Sequence, residues 1–275
     1  MVGSQLWVMA ALLAVLAAEW LAGRHRDLYG RNDYLVNGLC ILLGLTARPL
    51  LGLALALFIG AVVPAGRNVA GDWPFWPSLF GIILSAEFCN YWVHRWSHLN
   101  RRNPMLGWIW PLHRTHHTGK YANVLLHFRV NLFWGMVSPL AWVHIIAFHL
   151  GLHEAAGASI LLFSLWGVAT HSHFRWDDAI RRHAVWGKPF RALEHILVSP
   201  GLHHTHHGYG RDGKHYRNFG LLLSVFDWWF DTLHIPEGRP QYYGLAERTP
   251  HWAEEVFYPL YRVRRTPPAL QASPE

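Results

Sequence analysis

The stretch "LHHTHH", residues 202–207, sets four imidazoles, His203, His204, His206 and His207, within five consecutive positions. Imidazole is the commonest metal-ligating side chain and titrates near neutral pH, so this density means either a metal site or a costly accumulation of groups needing partners. The same spacing occurs earlier in "HRTHH", with His113, His116 and His117. Three imidazoles at i, i+3 and i+4 converge on one side of a helical turn, where they reach one metal or two adjacent ones. A third box, "EFCNYWVHRWSH", aligns Glu87, Tyr91, His94 and His98 along one helix face. His94 and His98 are within reach of a common metal. Glu87, one layer deeper, is the candidate catalytic carboxylate, placed to accept the second ring N–H of a ligating histidine. Read alone, this box equally describes an interfacial helix with two incidental histidines; two His-x2-His-His boxes beside it favour a single site.

These boxes need elements that bring them together. Apolar segments run over residues 5–22, 34–63 with an interruption at Arg48 and Pro49, 78–93, 130–150 and 155–170. Several approach the roughly 20 residues of a spanning helix. The start "MVGSQ" lacks the positive region of a signal peptide. Residues 130–170 read as a hairpin that leaves after the second box and returns at "THSHFRW", delivering His171 to the same side. After residue 172 no apolar run returns, so the rest belongs to one aqueous compartment. The expected fold is all-α: a multi-pass transmembrane helical base with a cytoplasmic helical cap holding a histidine-rich di-metal site. Arg-rich segments 95–129 and 175–217 mark the cap as cytoplasmic by the positive-inside tendency. The basic loop 24–31 shares that side if 34–63 makes one bent crossing, and lies opposite if it makes two. The chain reads as one integral-membrane domain, 1–275, with N-terminal spans over 1–77, a catalytic region over 78–245 and a tail over 246–275.

Composition removes other classes. Cys40 and Cys89 sit far apart in apolar stretches, against a disulfide framework or a Cys-based zinc site. Lys and Arg total 24 against 17 Asp and Glu, but they flank apolar segments and form no basic run interleaved with stacking aromatics, so nucleic acid is not a partner. His144, His149 and His153 read as packed or interfacial. His127, His183, His195, His215, His234 and His251 lack ligand spacing.

The order His-x3-His, His-x2-His-His, single His, His-x2-His-His resembles the fatty acid hydroxylase and sterol desaturase superfamily of integral-membrane di-iron enzymes. "YWVHRWSH", "LEHILVSPGLHHTHHG", "RNFGLLLSVFDWWFDTLHIP" and "YYGL" carry the likeness from about residue 80 to 245. The resemblance implies that His94, His98, His113, His116, His117, His171, His203, His206 and His207 are metal ligands, and that His195 and His204 are not. The chain departs from the family at Glu87, where Asp is usual, at Phe230, Asp231 and Thr232, where Phe-Gly-Thr is usual, and at His173, where Asn is frequent.

Imidazole suits iron, zinc, copper and nickel alike, and nine ligands are too many for one ion. The resemblance implies two iron ions with dioxygen as co-substrate, and hydroxylation or desaturation of a fatty acyl, sterol or carotenoid lipid. The expected setting is the bacterial cytoplasmic membrane. No dinucleotide fingerprint, iron–sulfur cysteine set or haem domain is visible, so electrons must come from an external ferredoxin or small haem carrier with its reductase. Arg175, Arg181, Arg182, Lys188, Arg211 and Arg217 are the expected attraction for that donor, or for anionic lipid headgroups. A histidine-rich metal transporter or storage protein is the alternative from another class, and a zinc hydrolase the alternative chemistry.

Overall fold

A computed structural model describes residues 2–247 and 249–263. Of the expected tail, residues 248 and 264–275 lie outside the described residues.

Four helices open the chain: α1 (Val2–Leu21), α2 (Arg31–Leu45), α3 (Ala47–Val62) and α4 (Phe75–Leu99). The second box helix follows as α5 (Ile109–His117). A short α6 (Trp134–Val137) leads into the pair α7 (Pro139–His149) and α8 (His153–His171). The cap is built from α9 (Trp176–Arg181), α10 (Gly187–Leu193), α11 (Pro200–His207), α12 (Val225–Trp229) and α13 (Trp252–Phe257). A two-residue antiparallel ladder, β1 (Gly208–Tyr209) with β2 (Tyr242–Tyr243), pairs Gly208 with Tyr243 and so closes the chain over the end of α11.

The central element is α4. Its buried residues Ser78, Ile82, Ala86, Asn90, His94 and His98 recur every fourth position and form one stripe. The lower part of that stripe is apolar. Ile82 packs on Ala147 of α7 and on Ala155 and Ala156 of α8, small residues that let the three helices approach closely. Ile83 and Ala86 pack on Phe163 and Leu222. Emptying such a site, as in Ile82→Ala, costs about 2–5 kcal/mol. The upper part of the same stripe is polar and enters the site.

The expected hairpin is present, with its turn at Gly151, φ +94°, packed against Asn68 and Gly71. Its first helix is shorter than the apolar run 130–150, because Pro139 starts a new helix after Ser138. The run 34–63 breaks at Thr46, three residues before Pro49, and α2 and α3 meet at a bend of 42°. They continue in one general direction as a bent pair.

Among the described residues no single helix is long and apolar enough to cross a membrane; α2 with α3 passes that test only as the bent pair. The expected single-helix spans at 78–93 and 155–170 fall short for a physical reason. Both segments carry Ser, Glu, Asn or Thr on faces turned inward to other helices, and those groups dilute the apolar run.

Candidate metal centre

Four helices deliver nine imidazoles to the capped end of the bundle. His94 and His98 come from the last two turns of α4, His113, His116 and His117 from α5, His171 from the last residue of α8, and His203, His206 and His207 from α11. They fall into two groups. One contains His94, His98, His113, His117 and His206; the other contains His116, His171, His203 and His207. Within each group every donor atom lies within 4.8 Å of every other.

The His-x2-His-His spacing explains the division. At about 100° per residue, position i+4 returns close to i while i+3 falls on the other side of the stripe. Thus α5 sends His113 and His117 to the first group and His116 to the second. The box on α11 does the reverse, sending His203 and His207 to the second group and His206 to the first. Between the groups, the rings of His117 and His207 stack 4.4 Å apart at 16°.

The second ring nitrogens show how the rings are aimed. His94 Nδ1 lies 2.6 Å from the Phe219 carbonyl oxygen, His206 Nδ1 2.8 Å from that of Arg217, and His171 Nδ1 2.7 Å from that of Gly167. Carbonyls only accept, so in these three rings Nδ1 carries the hydrogen and Nε2 presents a lone pair. The Nε2 atoms of His94, His98 and His206 are buried without a protein partner. In the second group, His171 Nε2 faces His203 Nε2 at 2.9 Å and His116 Nε2 at 3.2 Å, and His203 Nε2 faces His207 Nε2 at 3.0 Å. In the first group, His117 Nε2 and His113 Nε2 are 3.0 Å apart.

At least His94, His171 and His206 thus aim lone pairs into the two groups, and a metal ion fits the donor set. Ligands at right angles around an ion with bonds of about 2.1 Å would sit about 3.0 Å apart, and tetrahedral ones about 3.4 Å. The contacts of 2.9–3.2 Å are of the size expected between ligands of one ion. Burial keeps the imidazoles neutral, as ligation requires. It pushes His116 down to about 3, and, with neighbouring imidazoles adding to it, holds His113, His117, His203, His206 and His207 well below the usual 6.5.

Glu87 does not touch a histidine, contrary to the expectation from spacing. Its buried carboxylate accepts from the amides of Leu221, 2.6 Å, and Leu222, 3.1 Å. The reason is the loop 217–223, which runs between α4 and the ligands. That loop presents the Arg217 and Phe219 carbonyls, so Glu87 acts on His94 and His206 only through the backbone it holds. Asp227, unforeseen from the sequence, anchors the same loop. It accepts from the amides of Phe219, 2.8 Å, and Gly220, 2.7 Å, and from the Thr232 hydroxyl, 2.7 Å. Asn218, at φ +56°, ties the loop to the carbonyls of Leu202 and His234.

Two buried ion networks brace the box helices. Arg129 donates to Glu255, 2.9 Å, to Asp33, 3.0 Å, and to the Thr115 carbonyl of α5, 3.2 Å. Beneath α11, Arg181 pairs with Asp177, Asp178 and Glu194, Arg239 pairs with the same two aspartates, and Asp177 also accepts from the Gly201 amide at 2.7 Å. Arg181 is therefore buried, and the expectation that it faces an electron donor is corrected. Arg175, Arg182, Lys188 and Arg211 are exposed and Arg217 is partly so.

Outside the two groups, His204 lies 3.3 Å from the Tyr243 hydroxyl, His144 bonds Ser159 and His195 lies 2.9 Å from the Arg191 carbonyl. A cavity of about 310 Å³ opens below the histidines. His94, His113, His116, His171 and His203 form part of its wall, and Leu140, Phe163 and Leu221 much of the remainder.

Comparison with known proteins agrees with this arrangement. Residues 79–232, more than half of the chain, match the fatty acid hydroxylase family. Alkylglycerol monooxygenase of Danio rerio is 26% identical over 207 residues, covering 70% of this chain and 38% of that protein. Methylsterol monooxygenase 1-3 of Arabidopsis thaliana is 27% identical over 172 residues, 57% of this chain and 50% of that one. Alkylglycerol monooxygenase of Homo sapiens is 27% identical over 188 residues, 65% and 35% respectively. The alignments thus span half or less of each relative's length. No solved structure matches the chain. With its histidine boxes, their spacing and the matched region in agreement, the chain belongs to the fatty acid hydroxylase family.

Proposed function

We propose that the protein is a membrane-embedded di-iron oxygenase that hydroxylates or desaturates a lipid at the expense of dioxygen and external electrons. One observation carries this reading: nine neutral imidazoles form two donor groups at the end of a largely apolar cavity. His94, His98, His113, His117 and His206 would hold one iron, and His116, His171, His203 and His207 the other. When bound, the irons supply reductive activation of dioxygen and removal of hydrogen from an unactivated C–H bond.

The chain's own residues bind and orient. Leu140, Phe163 and Leu221 take the hydrocarbon and exclude water, while the carbonyls of Arg217, Phe219 and Gly167 keep the imidazoles aimed. For hydroxylation one oxygen atom enters the lipid and the other leaves as water. That balance takes two electrons and two protons beyond the C–H bond, delivered by a ferredoxin or small haem carrier with its reductase. Residues 78–245 would form the catalytic region of a single domain.

A membrane setting is supported by the outward faces of the helices. Leu50, Leu53 and Leu57 on α3 are 66%, 57% and 66% exposed, and Trp76 and Phe80 on α4 are 74% and 65% exposed. Such apolar surfaces mark a membrane or protein contact. We assign the protein to the bacterial cytoplasmic membrane as a multi-pass protein with the histidine cap inside. The test is lipid profiling of cells expressing the chain or its His206→Ala variant under labelled dioxygen. The expected result is one lipid gaining a labelled oxygen, or losing two hydrogens, only with the unmodified chain. No lipid change in protein carrying a full iron complement would refute the reading in favour of transport or storage.

A further inference from the structure

The cavity wall is not uniformly apolar. Asn90, His127, Ser138 and Ser164 line it, and among the described residues none of their side chains bonds to another protein group. Asn90 is 3% exposed. It stands on the α4 stripe one turn before His94, about 6 Å along the axis. Ser164 faces it from α8, seven residues before His171 on the same side of that helix. The His127 ring is seated over Gly167, where an added Cβ would meet its Cε1 at 2.6 Å, so a glycine there gives the imidazole its place.

Asn90 and Ser138 are buried and His127 and Ser164 partly so, and polar groups facing one cavity favour an occupant that hydrogen-bonds over one that strips them of partners. The cavity's lining includes no Lys, Arg, Asp or Glu. An ammonium would be buried there without a counter-charge and beside the metal ions, at a heavy desolvation cost. A bare methylene run would leave Asn90 and Ser164 unsatisfied.

We infer that Asn90, Ser164 and His127 form a binding subsite for a neutral oxygen function of the lipid, a hydroxyl, ether or carbonyl, within one helical turn of the carbon presented to the histidines. The inference rests on the lipid-oxidation reading and narrows its substrate to lipids oxygenated near the reacting carbon. Asn90 and Ser164 both donate and accept, which suits a hydroxyl best.

The probes are radiolabelled dodecan-1-ol and dodecane, bound to the iron-loaded protein in lipid nanodiscs and corrected with protein-free discs. The alcohol is expected to bind about tenfold tighter than the alkane, the size of effect for one buried hydrogen-bonding group. Asn90→Leu, close in shape, should cut the preference to below about twofold while alkane affinity and iron content stay unchanged. If Asn90→Leu does not fold, Ser164→Ala carries the test, and an undiminished preference overturns the inference. Equal affinity of the unmodified protein for alcohol and alkane also overturns it, leaving the lipid-oxidation reading standing. Absence of saturable binding by either probe overturns the inference as well, while the lipid-oxidation reading stands or falls by the lipid profiling.

Discussion

Replacing Asp227 by Asn changes only one atom at a residue that touches no histidine, yet it should free one iron and spare the other. The carboxylate accepts three hydrogen bonds, from the Phe219 and Gly220 amides and the Thr232 hydroxyl. A carboxamide has one accepting oxygen, so its NH2 would face one of those amides, donor against donor. One buried amide left unpaired costs about 1–3 kcal/mol. For a chain of this size that is a drop of roughly 2–5 °C in melting temperature. The loop so loosened carries the Phe219 and Arg217 carbonyls, which aim His94 and His206, both members of the five-histidine group. Loss of such an outer partner typically weakens metal affinity by about 10–100-fold. The four-histidine group takes its carbonyl from Gly167, on a different element. Iron quantified per chain during a chelator titration should therefore show one ion released early and one at the unmodified concentration. Parallel loss of both ions, or retention of both at full affinity, would refute the reasoning that the loop serves one group.

Further expectations follow from the same geometry. His206→Ala and His203→Ala should each lose the ion of their own group first and abolish activity, while His195→Ala, whose ring bonds the Arg191 carbonyl, should keep both; metal analysis and turnover check this. Chelated protein should lose stability as pH falls below 6.5: burial holds His116 at about 3, so between those values the unfolded chain binds a proton that the folded chain does not. The slope reaches about 1.4 kcal/mol per pH unit for each such imidazole and vanishes above pH 7, and a melting curve flat across pH 4–7 would contradict it. Single cysteines at Asp27, Lys120 and Arg211, in a Cys89→Ser background, should label from one face of the membrane. At that end of the bundle Glu19 of α1 accepts from the amides of Val124 and His173, and Tyr29 accepts from Asn123. Labelling from opposite faces would break the shared compartment.

The boxes were legible because ligand spacing is written in side chains. His-x2-His-His on a helix already implies two diverging directions, and α5 and α11 use both. Pro49 likewise announced the break in 34–63, and the return of the chain at His171 followed from the length of the apolar excursion. Glu87 was placed correctly on the buried side of α4 and assigned the wrong partner. The partners of His94 and His206 are carbonyl oxygens, which every residue possesses, so no residue type signals them; the carboxylates that hold the loop are visible only once the loop's path is known. Arg181 was read as surface charge although Asp177 and Asp178 stand four and three residues before it on α9; what buries the group is Glu194 from the α10–α11 connection together with Arg239, whose approach no periodicity reveals. Asn90 and Ser164 sit in apolar runs and read there as dilution of a span; only the facing of α4 and α8 makes them a pair.

The two ion networks beneath α5 and α11 also bear on how the protein matures. They are built from Arg129, Asp33 and Glu255 on one side and from Arg181, Arg239, Asp177, Asp178 and Glu194 on the other, and breaking such a buried network costs about 3–5 kcal/mol. None of these groups needs an ion to find its partner. The cage is thus shaped by chain folding, unlike a zinc finger, whose fold waits for its metal. Metal would then enter a cage already shaped, and because imidazole suits several ions, the one that enters would be selected by what the cell supplies as much as by the ligands.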